Sequence, residues 1–314
     1  MNKLYLIASS LLVAAGTAAA GVSPALLNLV MPDATVVSGM NVAQSVTSPF
    51  GQYILSQMQS NDAGFLQFIS ATGFDPRKDL LEIVAATPST AASTGHSGLL
   101  LGRGVFQPAM IIGAATEQGG TVTNYRGFSL IGQTGESIAL TFLDGSTVAI
   151  GDVASVKSAV DRKLSGSTFS GALATAAVAV SASNSAWFAT TTPLSDFMSS
   201  KAGNLGGVAQ SPLLQSILQA TGGVQFSSAG VTVSADAVTA SAQNAQALVD
   251  VLKFFVSMIA GNQNAPANVT SVATSAQFSV NGTTAHISLM LAEAQAEQLL
   301  MPQAKHARKP VAQR

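Results

Sequence analysis

"VTNYRGFSLIG" (residues 122–132), "SIALTFLDG" (137–145) and "STVAIG" (146–151) are three short runs of β-branched and apolar residues separated by Gly, Thr, Asp and Ser. Runs of this length between turn formers read as strands, and connections this short join antiparallel neighbours. The three therefore predict an antiparallel meander. A dinucleotide-binding fold needs parallel strands with helical crossovers, so this reading argues against one. The nearby "GRGVFQ" from Gly102 agrees: it has two glycines of the G-x-G-x-x-G phosphate turn and lacks the third.

Upstream of the meander, the spacing predicts a helix from Pro108 to about Glu117, and "LLEIVAATP" (80–88) with "SGLLLGRGVF" (97–106) reads as a strand pair. "PDATVVSGMNV" (32–42) is a turn followed by a strand. "SPFGQYILSQM" opens a helix with Ser48 as N-cap and Pro49 in the first turn. In "DAGFLQFISATG" (62–73) Phe65, Phe68 and Ile69 recur at helical spacing, and Gly73 is placed to end the helix in the left-handed conformation. Downstream, Asp152 caps the helix "VASVKSAVDRKL".

Residues 164–185 are so rich in Ser, Ala and Gly that periodicity does not separate linker from helix, and a boundary between halves is placed there. Beyond it a similar order resumes. "AWFATTTPL" (186–194) is a strand, "SPLLQSILQATGG" (211–223) a helix, and "VQFSSAGVTVSADAVTASA" (224–242) a strand pair. A long helix over 243–260 and the strands "VATSAQFSVNG" (272–282) and "TAHISLML" (284–291) follow. "SPFGQYIL" at 48 and "SPLLQSIL" at 211 are alike, which suggests internal duplication. The expected fold is α+β, with two similar halves, each an antiparallel sheet with helices on one face. The halves are residues 21–168 and 169–301, preceded by a signal peptide (1–20) and followed by a basic flexible tail (302–314).

"MNKLYLIASSLLVAAGTAAA" has one Lys, an apolar stretch and a small-residue end at Ala18, Ala19 and Ala20, the layout of a secretory signal cleaved after Ala20. The chain has no cysteine, which excludes disulfides and lipid attachment at cysteine and suits a bacterial periplasm or cell exterior. Charged residues make up only 9% of the chain, against about 25% in typical proteins, so the surface is small and neutral-polar. The formal charge of −1 becomes −5 without Lys305, Arg308, Lys309 and Arg314, and a mildly acidic body without basic clusters or aromatic platforms argues against nucleic acid.

The densest charge lies in "ATGFDPRKDLLEIV" (71–84), with Asp75, Arg77, Lys78, Asp79 and Glu82. Paired carboxylates need an enclosed cleft for acid–base work, and beside Arg77 and Lys78 they read instead as a solvated turn entering a strand. His96, His286 and His306 show no metal-ligand spacing, and "GHSG" (95–98) places Ser97 outside the G-x-S-x-G elbow. The sequence thus singles out no catalytic, cofactor-binding or metal residue.

In the long helix, Gln246, Asp250, Lys253 and Ser257 form a narrow polar stripe opposite Leu248, Val249, Leu252, Phe255, Val256 and Ile259, and Val251, Phe254 and Met258 widen the apolar arc. Such a helix is expected to be covered on most sides, packed between the sheet and the neighbouring half. The alternative is a dimer face or an apolar-ligand pocket. Asp250 and Lys253 argue against a membrane span, so no integral membrane segment is expected in the mature chain.

On "MPDATVVSGMNV", "SPFGQYIL", "TGFDPRKDLLEIV", "GLLLGRGVF", "TVAIGDVASVKSAVDR" and "AWFATTTPL", the chain resembles a group of exported bacterial proteins of unknown function, from about residue 24 to 301. The resemblance implies an exported α+β protein with a signal peptide and transfers no site residue. Three functions are compatible with these features: a non-enzymatic binding or scaffold protein, a carrier or chaperone for apolar ligands, and an unrecognised hydrolase. The expected partner is an unknown protein or an apolar ligand.

Overall fold

The computed structural model describes residues 21–57, 63–88, 98–133, 137–192, 212–262 and 267–300. In chain order the first half supplies α1 (Pro24–Leu27), β1 (Ala34–Asn41), α2 (Val42–Ser45), α3 (Pro49–Gln57), α4 (Ala63–Thr72), α5 (Pro76–Asp79), β2 (Leu80–Pro88) and β3 (Leu99–Gly104). It continues with α6 (Pro108–Glu117), β4 (Gly120–Tyr125), β5 (Phe128–Gln133), β6 (Ile138–Asp144), β7 (Thr147–Asp152) and α7 (Val153–Ser165). The second half supplies α8 (Ala172–Ser181), β8 (Ala186–Thr190), α9 (Pro212–Gln215), β9 (Ile217–Ser227), β10 (Gly230–Thr239), α10 (Ala242–Gly261), α11 (Ala267–Thr274), β11 (Gln277–Asn281), β12 (Thr284–Leu291) and α12 (Glu293–Leu300).

The strands form one sheet in the order β11-β12-β10-β9-β8-β1-β2-β3-β7-β6-β5-β4. Every neighbouring pair is antiparallel. The α+β class and the antiparallel pairing are as the sequence predicts. The two sheets expected there join edge to edge through β1 and β8, where Gly39 faces Trp187. A Cβ on Gly39 would meet the Trp187 ring at 2.6 Å, so this position has room for glycine alone.

The expected signals at helix ends act as read. The Ser48 hydroxyl accepts from Gly51 N–H at 3.0 Å, and the Asp152 carboxylate accepts from Ser155 N–H at 2.9 Å. Gly73 follows α4 with φ +66°.

Three elements depart from the sequence reading. "VTNYRGFSLIG" is two strands, because Arg126 and Gly127 both take positive φ and turn the chain between the paired Tyr125 and Phe128. "SPLLQSILQATGG" keeps one helical turn as α9 and then extends as β9. Ala220, Val224 and Phe226 alternate there and oppose Ala237, Val233 and Val231 of β10, and this pairing overrides the helical spacing. "VATSAQ" is helical to Thr274, and the strand begins only at Gln277.

Alternation along the strands gives the sheet two apolar faces used by different helices. In the first half Val37, Val84, Leu99, Leu101 and Ala149 point to one face, packed with Leu26 of α1, Val156 and Val160 of α7, and Leu173 and Ala177 of α8. In the second half the opposite face carries Ala220, Ala285 and their neighbours under Ala245, Leu248 and Val249 of α10. A third cluster seats Phe50 of α3 on Val231, Leu291 and Ala296. Helices cross between halves in both directions: α3 belongs to the first half in sequence and packs on the second, while α8 lies past the expected boundary and packs in the first core.

Candidate functional site

Ser241 opens α10, its hydroxyl accepting from Asn244 N–H at 3.1 Å. Ala245, Leu248 and Val249 are buried against Ile217, Ala220 and Ala285. Beyond Val249 no residue of the helix is buried. Val251, Phe254, Phe255, Met258 and Ile259 stand at i, i+3, i+4, i+7 and i+8 and form an exposed apolar stripe; Phe254 is 65% and Met258 54% exposed. The expectation that this helix is covered on most sides is therefore corrected. Its first two turns lie on the sheet and the rest presents large apolar side chains to solvent.

The strands beneath explain part of this. The sheet face beneath α10 is paved by Ala220, Ala235, Ala237 and Ala285, which are too short to fill the space under Leu248 and Leu252. A crevice of about 130 Å³ remains there, with Phe188 and Ile287 also in its lining. Leu248, Leu252, Phe188 and the alanines give it a largely hydrocarbon lining, which together with the exposed phenylalanines can take up an apolar chain or ring.

The charged segment is ordered differently from a solvated turn. Asp75 caps α5, accepting from Arg77 N–H at 3.1 Å, and the Arg77 guanidinium donates to both of its oxygens at 2.8 and 2.9 Å. Arg77 also lies 5.0 Å from the centre of the Phe65 ring, and its side chain is only 23% exposed, whereas Lys78 is 79% exposed. The Arg77 hydrogen bonds hold the Asp75 carboxyl below the ordinary carboxylate range, against the opposing effect of burial. Asp79 accepts from the Asp75 N–H at 2.7 Å. Glu82 is buried, accepting from Ser23 N–H at 2.7 Å and from Arg103 at 3.0 Å. Each carboxylate is thus engaged with a cation or a backbone N–H, and the cluster is a structural tie between α5, β2, β3 and the segment before α1.

His286 lies on β12 with Nδ1 2.7 Å from Oδ1 of Asp236 on β10. His96, Ser97 and His306 fall outside the described residues, as do the signal segment and the basic tail. Gly102 and Gly104 are strand residues of β3 and form no phosphate turn. Among the described residues no three His, Asp or Glu side chains gather as a metal site. The sequence reading missed the Asp236–His286 pair, because the two residues meet only through the long-range pairing of β10 with β12, which sets Asp236 opposite His286.

No protein-family model matches the chain, and no curated protein does. Among solved structures, crystal form III of TP0453 is similar with a TM-score of 0.51 at 12% identity, covering 88% of this chain and 98% of that one. Crystal form IV of TP0453 gives a TM-score of 0.52 at 12% identity, covering 89% and 97%. At this identity the likeness is one of fold.

Proposed function

We propose that the chain is an exported, non-enzymatic binding protein that carries apolar ligands on α10 and in the crevice beneath it. The observation that carries this reading is the exposed stripe from Val251 to Ile259. Exposing two phenylalanines, a methionine and two β-branched residues side by side forfeits the burial of each, about 1.5–3 kcal/mol for a large apolar side chain, unless a partner covers them. The secretory layout of the first twenty residues and the resemblance to exported bacterial proteins support the location outside the cytoplasm. Of the readings compatible with the sequence, the scaffold reading does not explain the crevice, and the hydrolase reading has no assembled catalytic group to rest on among the described residues.

The test is titration with cis-parinaric acid followed by its fluorescence. Saturable micromolar binding is expected, lost in Phe254→Asp and Met258→Asp with the melting temperature unchanged, because both side chains already face solvent. Absence of saturable binding in the parent refutes the carrier reading and leaves a scaffold as its replacement.

A further inference from the structure

We infer that the face of the second-half sheet opposite α10 is a binding groove for a neutral saccharide. Here the strand residues not used by α10 point into a cavity of about 620 Å³, within the range of small-molecule sites. Strand register sets its floor. Thr221, Asp236, His286 and Ser279 stand side by side across β9, β10, β12 and β11. The adjacent row runs Gln219, Val238, Thr284 and Asn281. Four strands at the usual spacing span about 14 Å, enough for more than one sugar ring.

One wall is α8, which lies over the sheet and turns Ala176, Ala179 and Val180 toward the cavity. The groove thus has a small aliphatic ledge beside a floor of hydroxyl, amide, carboxylate and imidazole groups. A saccharide has the matching surfaces, with C–H faces for the ledge and a rim of hydroxyls that both donate and accept.

Charge narrows the class further. Among the described residues no Lys or Arg lines the cavity, and Asp236 is a half-exposed carboxylate whose partner there is His286. Phosphates and other anions would meet a carboxylate with no guanidinium or ammonium to hold them. Large apolar ligands would leave the hydroxyls and amides of the floor without partners. A neutral polyhydroxyl ligand satisfies them, and the Asp236 carboxylate is a strong acceptor for sugar hydroxyls. The groove is separate from α10 by the thickness of the sheet, so this inference stands independently of the apolar-ligand reading.

Calorimetric titration of the exported chain with chitotetraose and with maltotetraose tests it. Saturable binding of at least one is expected, weakened at least about tenfold both by Asp236→Asn, which removes the charged acceptor, and by Ala179→Trp, which fills the ledge from an exposed helix position. Both variants should keep the parent's melting temperature, and Ala179→Trp, which lines this cavity and not the crevice under α10, should keep the cis-parinaric acid binding. The inference is overturned if neither saccharide saturates at millimolar concentration, or if either variant binds as the parent does.

Discussion

Glu82 shows how a residue in a charged cluster becomes a structural one. In sequence it is the last of five charges in eight positions; in the fold it points into the core side of β2, where one oxygen accepts from Ser23 N–H and the other from Arg103. Truncation to Ala leaves the Ser23 N–H short of its partner, at a cost of about 1–3 kcal/mol, while the Arg103 guanidinium, 39% exposed, turns to water. Glu82→Ala should therefore lower stability by at least that amount in urea unfolding, while Lys78→Ala, at an ammonium 79% exposed and as far as 3.9 Å from Asp75, should stay within about 0.5 kcal/mol of the parent. Equal effects would mean that Glu82 is not anchored as described. The opening of this cluster was legible as a turn, since Asp-Pro announced one. The pairing was not, because Phe65, Ser23 and Arg103 reach Asp75–Glu82 only once α4, the segment before α1 and β3 have packed.

At the scale of elements, β4–β7 are latched to α7 by side chains of the outer hairpins. Tyr125 donates to Asp161 at 3.1 Å, Arg126 pairs with Asp161 at 3.1 Å, and Lys163 pairs with Asp144 at 2.6 Å. Burial alone would raise the Asp144 carboxyl, but Lys163, Ser146 and Thr147 outweigh it and lower it from 3.8 to about 2. A carboxyl depressed in the folded state stabilises fully above its unfolded value near pH 4, and that contribution fades as pH falls through about 2. Lys163→Met should cost no more than about 1 kcal/mol at neutral pH, since both groups are well exposed, and the gap to the parent should shrink between about pH 4 and pH 2. Chemical unfolding at several pH values reads this directly; a gap constant down to pH 2 rules the latch out. Element types were readable where caps and alternation agreed, as at Ser48, Gly73 and Asp152. They were misread at 211–223, where helical spacing and strand alternation coexist and only pairing with β10 decides. The apolar stripe of α10 was also readable, since periodicity tells which residues share a face. Its exposure was not, because the alanines beneath it come from three strands, and the Asp236–His286 pair likewise needs the β10–β12 register.

For the whole molecule the question is whether two halves in one sheet unfold together. The seam is a strand pair, β1 with β8, and its centre is Trp187 packed over Gly39. Strand pairing alone would be a weak link, but helices also cross it. The Phe50 ring of α3 packs tilted against Phe226 of the second half, with centroids 5.6 Å apart, and Leu173 and Ala177 of α8 are buried in the first core together with Trp187 and Ala189. Removing either half would expose apolar surface of the other, which couples their stabilities. Trp187 is the only tryptophan, so its fluorescence reports the seam while far-UV circular dichroism reports all strands and helices. The two signals should trace one urea transition with the same midpoint and slope. If the Trp187 signal is lost while much of the dichroism remains, the halves hold themselves up independently, and the crossing helices contribute less than their burial implies. Gly39→Ala sharpens the test: its Cβ enters the Trp187 ring, so the variant should shift the midpoint of both signals equally if the seam and the two cores are one cooperative unit.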